Sequence, residues 1–263
     1  MTWSPPTFAD ALRQHLAGSL EGALLLRSLI AHPSWRVPCS RETLTGAEFV
    51  VRTVRGPDGE DWLPIFSDDD AMMAHRDHPD SADLGEFFVE LPGEVVVSNL
   101  DDRLSGLDVN PHTHSAIHFK QPQFGLLRVM VHAWRAECVL HGGEGEDGLR
   151  HLADHPSYAL LRAGDEVLLA PDAKRRLVAV CTAPDTLGAW HASVQGQGFG
   201  ELKVLELGGR ALFAHLAALP IDGVVFNPVG PVPPRALSIA IADLIRDLPV
   251  SEEPKDTEAT YDD

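Results

Sequence analysis

The sequence is short of cysteine, of basic side chains and of long apolar runs. Its three cysteines, Cys39, Cys138 and Cys181, lie far apart in a chain of 263 residues. They are too few and too dispersed for a disulfide framework or a clustered zinc site, and the expectation is a reducing, cytoplasmic setting. Lysine and arginine total 21 against 39 aspartates and glutamates, a formal charge of −18. So negative a surface repels phosphate backbones and anionic lipid, which argues against a nucleic-acid binder or a peripheral membrane protein and in favour of a basic protein partner. The longest uncharged run, Thr186 to Gly200, is rich in Gly and carries two Gln and a Ser. Nothing approaches the roughly 18 apolar residues of a membrane span. Pro5, Pro6 and Asp10 stand where a signal peptide would need hydrophobic helix. The Gly-x-Ser-x-Gly, His-Glu-x-x-His and Gly-x-x-x-x-Gly-Lys motifs are missing as well.

What is present is a hydrophobic content of 44%, enough for a core, and internal self-similarity. His32-Pro33-Ser34-Trp35 matches His155-Pro156-Ser157-Tyr158, and the segment Leu63 to His75 matches Val178 to Trp190. Val89 to Leu100 matches Leu205 to Leu216, and Gly106-Leu-Asp-Val-Asn110-Pro111 matches Gly223-Val-Val-Phe-Asn227-Pro228. The offsets are 123, 115, 116 and 117 residues, and the order is the same in both halves. One ancestral unit used twice accounts for this.

Short apolar runs at Leu63 to Phe66 and Leu177 to Cys181 read as buried strands. Each meets a hydroxyl and, three residues on, a carboxylate: Ser67-x-x-Asp70 and Thr182-x-x-Asp185, the pattern of a capped helix start. Phe87 to Leu91 and Leu202 to Leu207 read as further strands closed by Gly93 and Gly208-Gly209, and helices are expected over Glu94 to Leu100 and Arg210 to Leu219. Leu104 to Val109 and Ile221 to Phe226 read as strands that stop at Asn-Pro, because Pro removes a ladder donor and restricts the residue before it. Helices are expected over Pro122 to Glu137 and Pro234 to Asp247.

Phe8, Leu12, Leu16, Leu20 and Leu24, at steps of four, predict one extra helix over Thr7 to His32. The fold class is therefore α/β (α+β): two tandem copies of a small mixed unit with an N-terminal helix and an acidic C-terminal tail. The expected divisions are the helix in 1–31, units in 32–137 and 149–248, a Gly/Glu-rich linker in 138–148 and a disordered tail in 249–263. That tail carries six acids and one lysine.

The strings Trp62-Leu-Pro-Ile-Phe-Ser-Asp-Asp-Asp70 and Gly106-Leu-Asp-Val-Asn110-Pro111 resemble the "lpvFts...glvlNP" pattern of the SseB family, proteins named for enhanced serine sensitivity. The second copy resembles it more loosely, with Cys181 where the pattern has an aromatic. The resemblance implies a bacterial, non-membrane α/β module often occurring as two units, and it brings no catalytic residues with it.

For chemistry, the densest cluster is His112, His114 and His118, three imidazoles within seven residues that could serve zinc or nickel but lack an evident fourth ligand. The second copy has Val229, Gly230 and Pro231 in the matching loop. Asp68, Asp69 and Asp70 fit either a hard cation or a helix start. Gly143-Glu-Gly145-Glu-Asp-Gly148 matches a dinucleotide motif formally, but its acids would repel a pyrophosphate. Cys138 and Cys181 sit in apolar sequence as structural thiols. His32 and His155 read as helix C-terminal residues, and Trp35 and Tyr158 as core or hinge aromatics. Asn110, Pro111, Asn227 and Pro228 mark strand ends and form the expected binding edge, with turn-making as the competing role.

No cofactor and no catalytic residue is expected. The function that follows is a non-enzymatic protein-interaction module for a basic protein, immunity- or chaperone-like. The rival class is a metal-dependent enzyme or small-molecule sensor on the His112, His114 and His118 loop.

Overall fold

The computed structural model describes residues 3–46, 50–55, 59–79, 81, 84–142, 146–172 and 174–248. In chain order, helices α1 (Phe8–Leu16) and α2 (Gly22–Ile30) precede strand β1 (Trp35–Pro38), the short helix α3 (Arg41–Thr45), strands β2 (Val54–Arg55) and β3 (Asp61–Ile65), and helix α4 (Asp69–Asp77). Strand β4 (Phe88–Leu91), helix α5 (Gly93–Ser98), strands β5 (Gly106–Val109) and β6 (Ile117–Lys120) and the long helix α6 (Phe124–Gly142) follow. The order then recurs: α7 (Glu146–Ala153), β7 (Tyr158–Ala163), β8 (Glu166–Val167), β9 (Leu169–Ala170), β10 (Leu177–Val180) and α8 (Pro184–Val194), then β11 (Leu202–Leu207), α9 (Gly209–Ala217), β12 (Gly223–Phe226), β13 (Arg235–Ser238) and α10 (Ile239–Arg246). The fold is mixed α/β of the α+β kind.

The sheets correspond pair by pair. One four-stranded sheet runs β2-β3-β5-β6, and the other runs β9-β10-β12-β13. In each, the two central strands are parallel, with Trp62 opposite Gly106 and Ile65 opposite Val109 in the first, and Leu177 opposite Gly223 and Val180 opposite Phe226 in the second. The outer pairings are antiparallel. Strand β4 pairs with β1, and β11 with β7, and each pair joins its neighbouring sheet through one bridge, Arg36 to Phe66 and Ala159 to Cys181.

The matched motifs hold equivalent packing positions. Trp35 and Tyr158 are both fully buried; Trp35 Nε1 donates to the Leu29 carbonyl at 3.0 Å and the Tyr158 hydroxyl to the Leu152 carbonyl at 3.0 Å. Their histidines do not act as cations closing a helix, as the sequence suggested. His32 Nδ1 accepts from Ser34 N and His155 Nδ1 from Ser157 N, each at 3.3 Å, and the rings lie against Trp35 and Tyr158 at 4.3 and 4.2 Å. Burial lowers both pKa values, so the rings stay neutral acceptors.

Helix α6 serves two cores. Phe124, Leu127, Met130, Val131 and Ala133 pack into the first with Phe8, Leu25 and Trp35, whereas Ala136 and Leu140 pack into the second with Leu152, Tyr158 and Phe213. Helices α6 and α7 thereby stand to the second core as α1 and α2 stand to the first.

Three readings of the sequence are corrected. Thr7 to His32 is two helices: Gly18 adopts φ 71°, Gly18 N donates to His15 O and Ser19 N to Gln14 O, each at 2.9 Å, closing α1 in a Schellman turn. The buried stripe accordingly shifts from Leu16, which is 66% exposed, to Leu25 and Leu29 in α2. Pro234 to Asp247 opens as a strand, because Arg235–Ser238 pairs with Gly223–Phe226 and buries Leu237 before α10 starts. Finally, the segment 138–148 has helical ends, with α6 running to Gly142 and α7 starting at Glu146. Its residues 143–145 and the acidic tail 249–263 lie outside the described residues.

Candidate functional site

The parallel strands of each sheet end side by side, and an asparagine in left-handed conformation closes each end. Asn110 and Asn227 both have φ 50°, a region that asparagine tolerates better than most residues. Asn110 N donates to Ile65 O at 2.8 Å and Asn227 N to Val180 O at 2.8 Å, extending each parallel ladder by one bond. Asn110 Oδ1 accepts from Ser67 N at 2.8 Å, and its Nδ2 donates to Ser67 Oγ at 3.0 Å. Asn227 Oδ1 accepts from Thr182 N at 3.0 Å, and its Nδ2 donates to Thr182 Oγ1 at 3.0 Å. Both amides are thus spent on the fold, and both asparagines are buried. Pro111 is buried and Pro228 half-buried, so of the expected binding edge Asn110 alone is among the residues lining the cleft described next.

These bonds also correct the capping boxes. Ser67 Oγ donates to Asp68 Oδ2 at 2.8 Å, and the N-cap of α4 is Asp68, whose Oδ1 accepts from Ala71 N at 2.8 Å. Thr182 Oγ1 donates to Glu137 Oε1 at 3.0 Å, and α8 starts from Ala183, whose N–H reaches Thr186 Oγ1 at 3.2 Å. Each helix starts one residue later than the hydroxyl pattern indicated, because the hydroxyl is held by the neighbouring strand end.

A cleft of about 690 Å³ opens over the first strand end. Phe8, Leu12 and Leu16 of α1 form one wall, Asp68, Asp70, Ala71 and Ala74 the start of α4, and Asn110, His112, Thr113, His114 and Ser115 the loop after β5. The carboxyl ends of parallel strands are where open α/β sheets place their ligands. His112 also holds φ 63°, in the left-handed region. Its ring stacks on His78 at 4.1 Å and lies 5.0 Å from His75.

The three histidines of the sequence cluster part company. His112 turns toward His75 and His78, His114 is exposed at the cleft, and His118 projects from β6 to hydrogen-bond Asp108, its ring edge-on to Trp62 at 6.3 Å. The aspartates part as well: Asp68 caps α4, Asp69 pairs with Arg36 at 3.1 Å and Asp70 lines the cleft. Among the described residues, no three His, Cys, Asp or Glu side chains are grouped to hold a metal ion. Cys181 is buried in accord with its apolar sequence, but Cys138 is exposed. Desolvation pushes the buried Cys181 thiol up to about 12, which keeps it protonated at neutral pH.

The second strand end is filled from within the chain. Arg27 of α2 is fully buried and clamped by two carboxylates. Its Nε donates to Glu137 Oε2 at 2.8 Å and its Nη2 to Glu137 Oε1 at 2.7 Å; Nη1 donates to Asp185 Oδ2 at 2.8 Å and Nη2 to Asp185 Oδ1 at 3.3 Å. Burial opposes the charge on Arg27, but the Glu137 hydrogen bonds and both carboxylate charges outweigh it and its pKa rises. Burial raises the pKa of Glu137 against the pull of Arg27. The cluster ties α2, α6 and α8 together beside Thr182 and Asn227. Sequence reasoning missed it, although a lone arginine in the apolar run Ala23-Leu24-Leu25-Leu26-Arg27-Ser28-Leu29-Ile30 was the signal: so apolar a helix buries every face, and a buried charge requires a partner.

No curated protein matches the chain. Among solved structures, Anabaena Tic22 (protein transport) is similar at 12% identity and a TM-score of 0.23, with 85% of this chain and 96% of that chain covered. A TM-score that low carries no argument about fold or function. Residues 11–123, which include most of the residues lining the cleft at the first strand end, match the family model of the SseB protein N-terminal domain, in support of the resemblance carried by Trp62 to Asp70 and Gly106 to Pro111.

Proposed function

We propose that the chain is a non-enzymatic, cytoplasmic protein-interaction module built of two tandem SseB-like units, and that it binds a basic protein in the manner of an immunity protein or chaperone. The observation that carries this reading is the charge: 39 acidic against 21 basic side chains, with Asp68 and Asp70 lining the open cleft. Such a field speeds encounter with a positive surface. The repeated strand ends at Asn110 and Asn227 and the repeated Trp35 and Tyr158 anchors support the tandem units. A buried Cys181 thiol held protonated and two asparagine amides engaged in the fold support a binding role over catalysis. The rival metal site would require His112, His114 and His118 to converge, and they diverge.

The test is association kinetics with the protein captured by the full-length chain. The on-rate is expected to fall steeply as the Debye length shortens from about 30 Å at 0.01 M salt to about 8 Å at 0.15 M. Removing residues 249–263 takes away −5 of the −18 charge and should lower the on-rate without unfolding the protein. An on-rate that is flat across salt would overturn the basic-partner reading.

A further inference from the structure

One groove of the repeat is occupied at the second strand end and open at the first. At the second, helix α2 of the first unit lies in front of Thr182 and Asn227. Its Arg27 reaches Glu137 on α6, which accepts from the Thr182 hydroxyl, and Asp185 in the first turn of α8. Ala183, just ahead of α8, is buried in one cluster with Leu25 and Leu29 of α2. At the first strand end, α1 takes the part of the second half of α6, α4 that of α8 and Asn110 that of Asn227. Between these three lies the open cleft of about 690 Å³.

We propose that this cleft receives a helix from a basic partner protein, seated on the first unit as α2 is seated on the second. The inference rests on the protein-interaction reading and gives the form of its anchor. The walls set the chemistry of the incoming face. Helix α1 contributes Phe8, Leu12 and Leu16, the last of them 66% exposed, and α4 contributes Ala71 and Ala74, whose short side chains let a helix backbone come close. Where α6 offers Glu137 to Arg27, α1 offers the cleft no carboxylate. The incoming helix is therefore apolar at the position where α2 carries its arginine, because a buried charge there would lack its partner. Large apolar residues at i, i+3 and i+4 meet the α1 wall. The flanks of the helix are basic, in complement to a chain of charge −18.

The experiment titrates the isotope-labelled full-length protein with a blocked peptide of the α2 sequence Gly22 to Ile30, carrying Arg27→Leu and lysines added at both ends. A control peptide carries Leu26→Pro as well, which breaks the helix. Saturable amide shifts confined to residues 8–16, 67–74 and 110–115 are expected with the first peptide, and none with the control. Leu16→Gln with Ala74→Gln, both at exposed positions, should weaken the first peptide by at least about tenfold while the thermal midpoint and the net charge hold. No saturable shift, shifts at residues 133–137 and 182–186 where the peptide would have displaced α2, equal binding by the control, or undiminished binding by the double variant would each overturn the helix seat. If the captured partner binds that variant unchanged but stays salt-sensitive, the helix seat falls and the acidic-surface reading stands; a salt-insensitive partner overturns that reading on its own.

Discussion

Arg27 and Glu137, 110 residues apart, form a bidentate ion pair from which solvent is excluded, with both side chains 0% exposed. Breaking such a pair strands a buried charge, which costs about 3–5 kcal/mol, whereas replacing both partners with apolar residues of similar size is often neutral. Arg27→Met should therefore lower stability by about that much, and Arg27→Met with Glu137→Met should recover part of the loss, since Asp185 still loses its partner. Denaturant melts arranged as a double-mutant cycle measure the coupling, and equal losses in the single and double variants would show that the pair is not the source.

Gly93 and Gly209 admit no side chain. An ideal Cβ on Gly93 would lie 2.2 Å from the Leu29 carbonyl oxygen, and one on Gly209 2.3 Å from that of Leu152. Each glycine N–H donates to the carbonyl of a matched histidine, His32 or His155, at 2.8 Å. Gly93→Ala and Gly209→Ala should each cost about 2–3 kcal/mol, because backbone rather than a flexible side chain must move. Gly125 in α6 meets nothing within 4 Å, so Gly125→Ala should stabilise by about 0.5–1 kcal/mol. Urea midpoints of the three variants check the contrast.

At Asn110 and Asn227, alanine would lose the amide bonds to the end of the neighbouring parallel strand and keep an unfavourable φ. Each Asn→Ala change should destabilise by about 2 kcal/mol or more, and Asn→Gly by about 1 kcal/mol less, since glycine removes the left-handed strain alone. Identical midpoints for the Ala and Gly variants would indicate that φ contributes nothing.

His155 supplies a pH dependence. Burial, and then the charge of His132, pushes its pKa down to about 4 from an ordinary 6.5. Between those values the unfolded chain binds a proton that the folded chain does not, so stability rises with pH through the window and is lost on acidification. The loss attributable to this group approaches about 3 kcal/mol by pH 4. His155→Asn keeps an acceptor for Ser157 N and should flatten the stability profile between pH 4 and 6.5, read by chemical denaturation at successive pH values. His32 titrates in the same sense.

How far the site was legible depended on how local its causes are. Leu202 to Leu207 forms the expected strand before Gly208-Gly209, and the Asn-Pro stops at Asn110 and Asn227 end β5 and β12. Four residues ahead of a helix offer no period of their own, so Arg235–Ser238 has the local pattern of helix; the ladder to Gly223–Phe226 makes them a strand. The spacing of Ser67 and Thr182 to a carboxylate fits a cap, yet each hydroxyl is claimed by an asparagine more than forty residues away, 43 for Ser67 and 45 for Thr182.

The sequence by itself determined the mixed α/β class, the acidic charge and the recurrence of matched segments, because apolar spacing, composition and the positions of Gly, Pro and Asn act over a few residues of chain. Only the tertiary structure decided that α6 serves two cores and that Arg27 meets Glu137 and Asp185, 110 and 158 residues away. It also decided that the second strand end is filled while the first stays open as a cleft. Which charge is buried beside which depends on how helices far apart in the chain pack together, and no local pattern of residues encodes that.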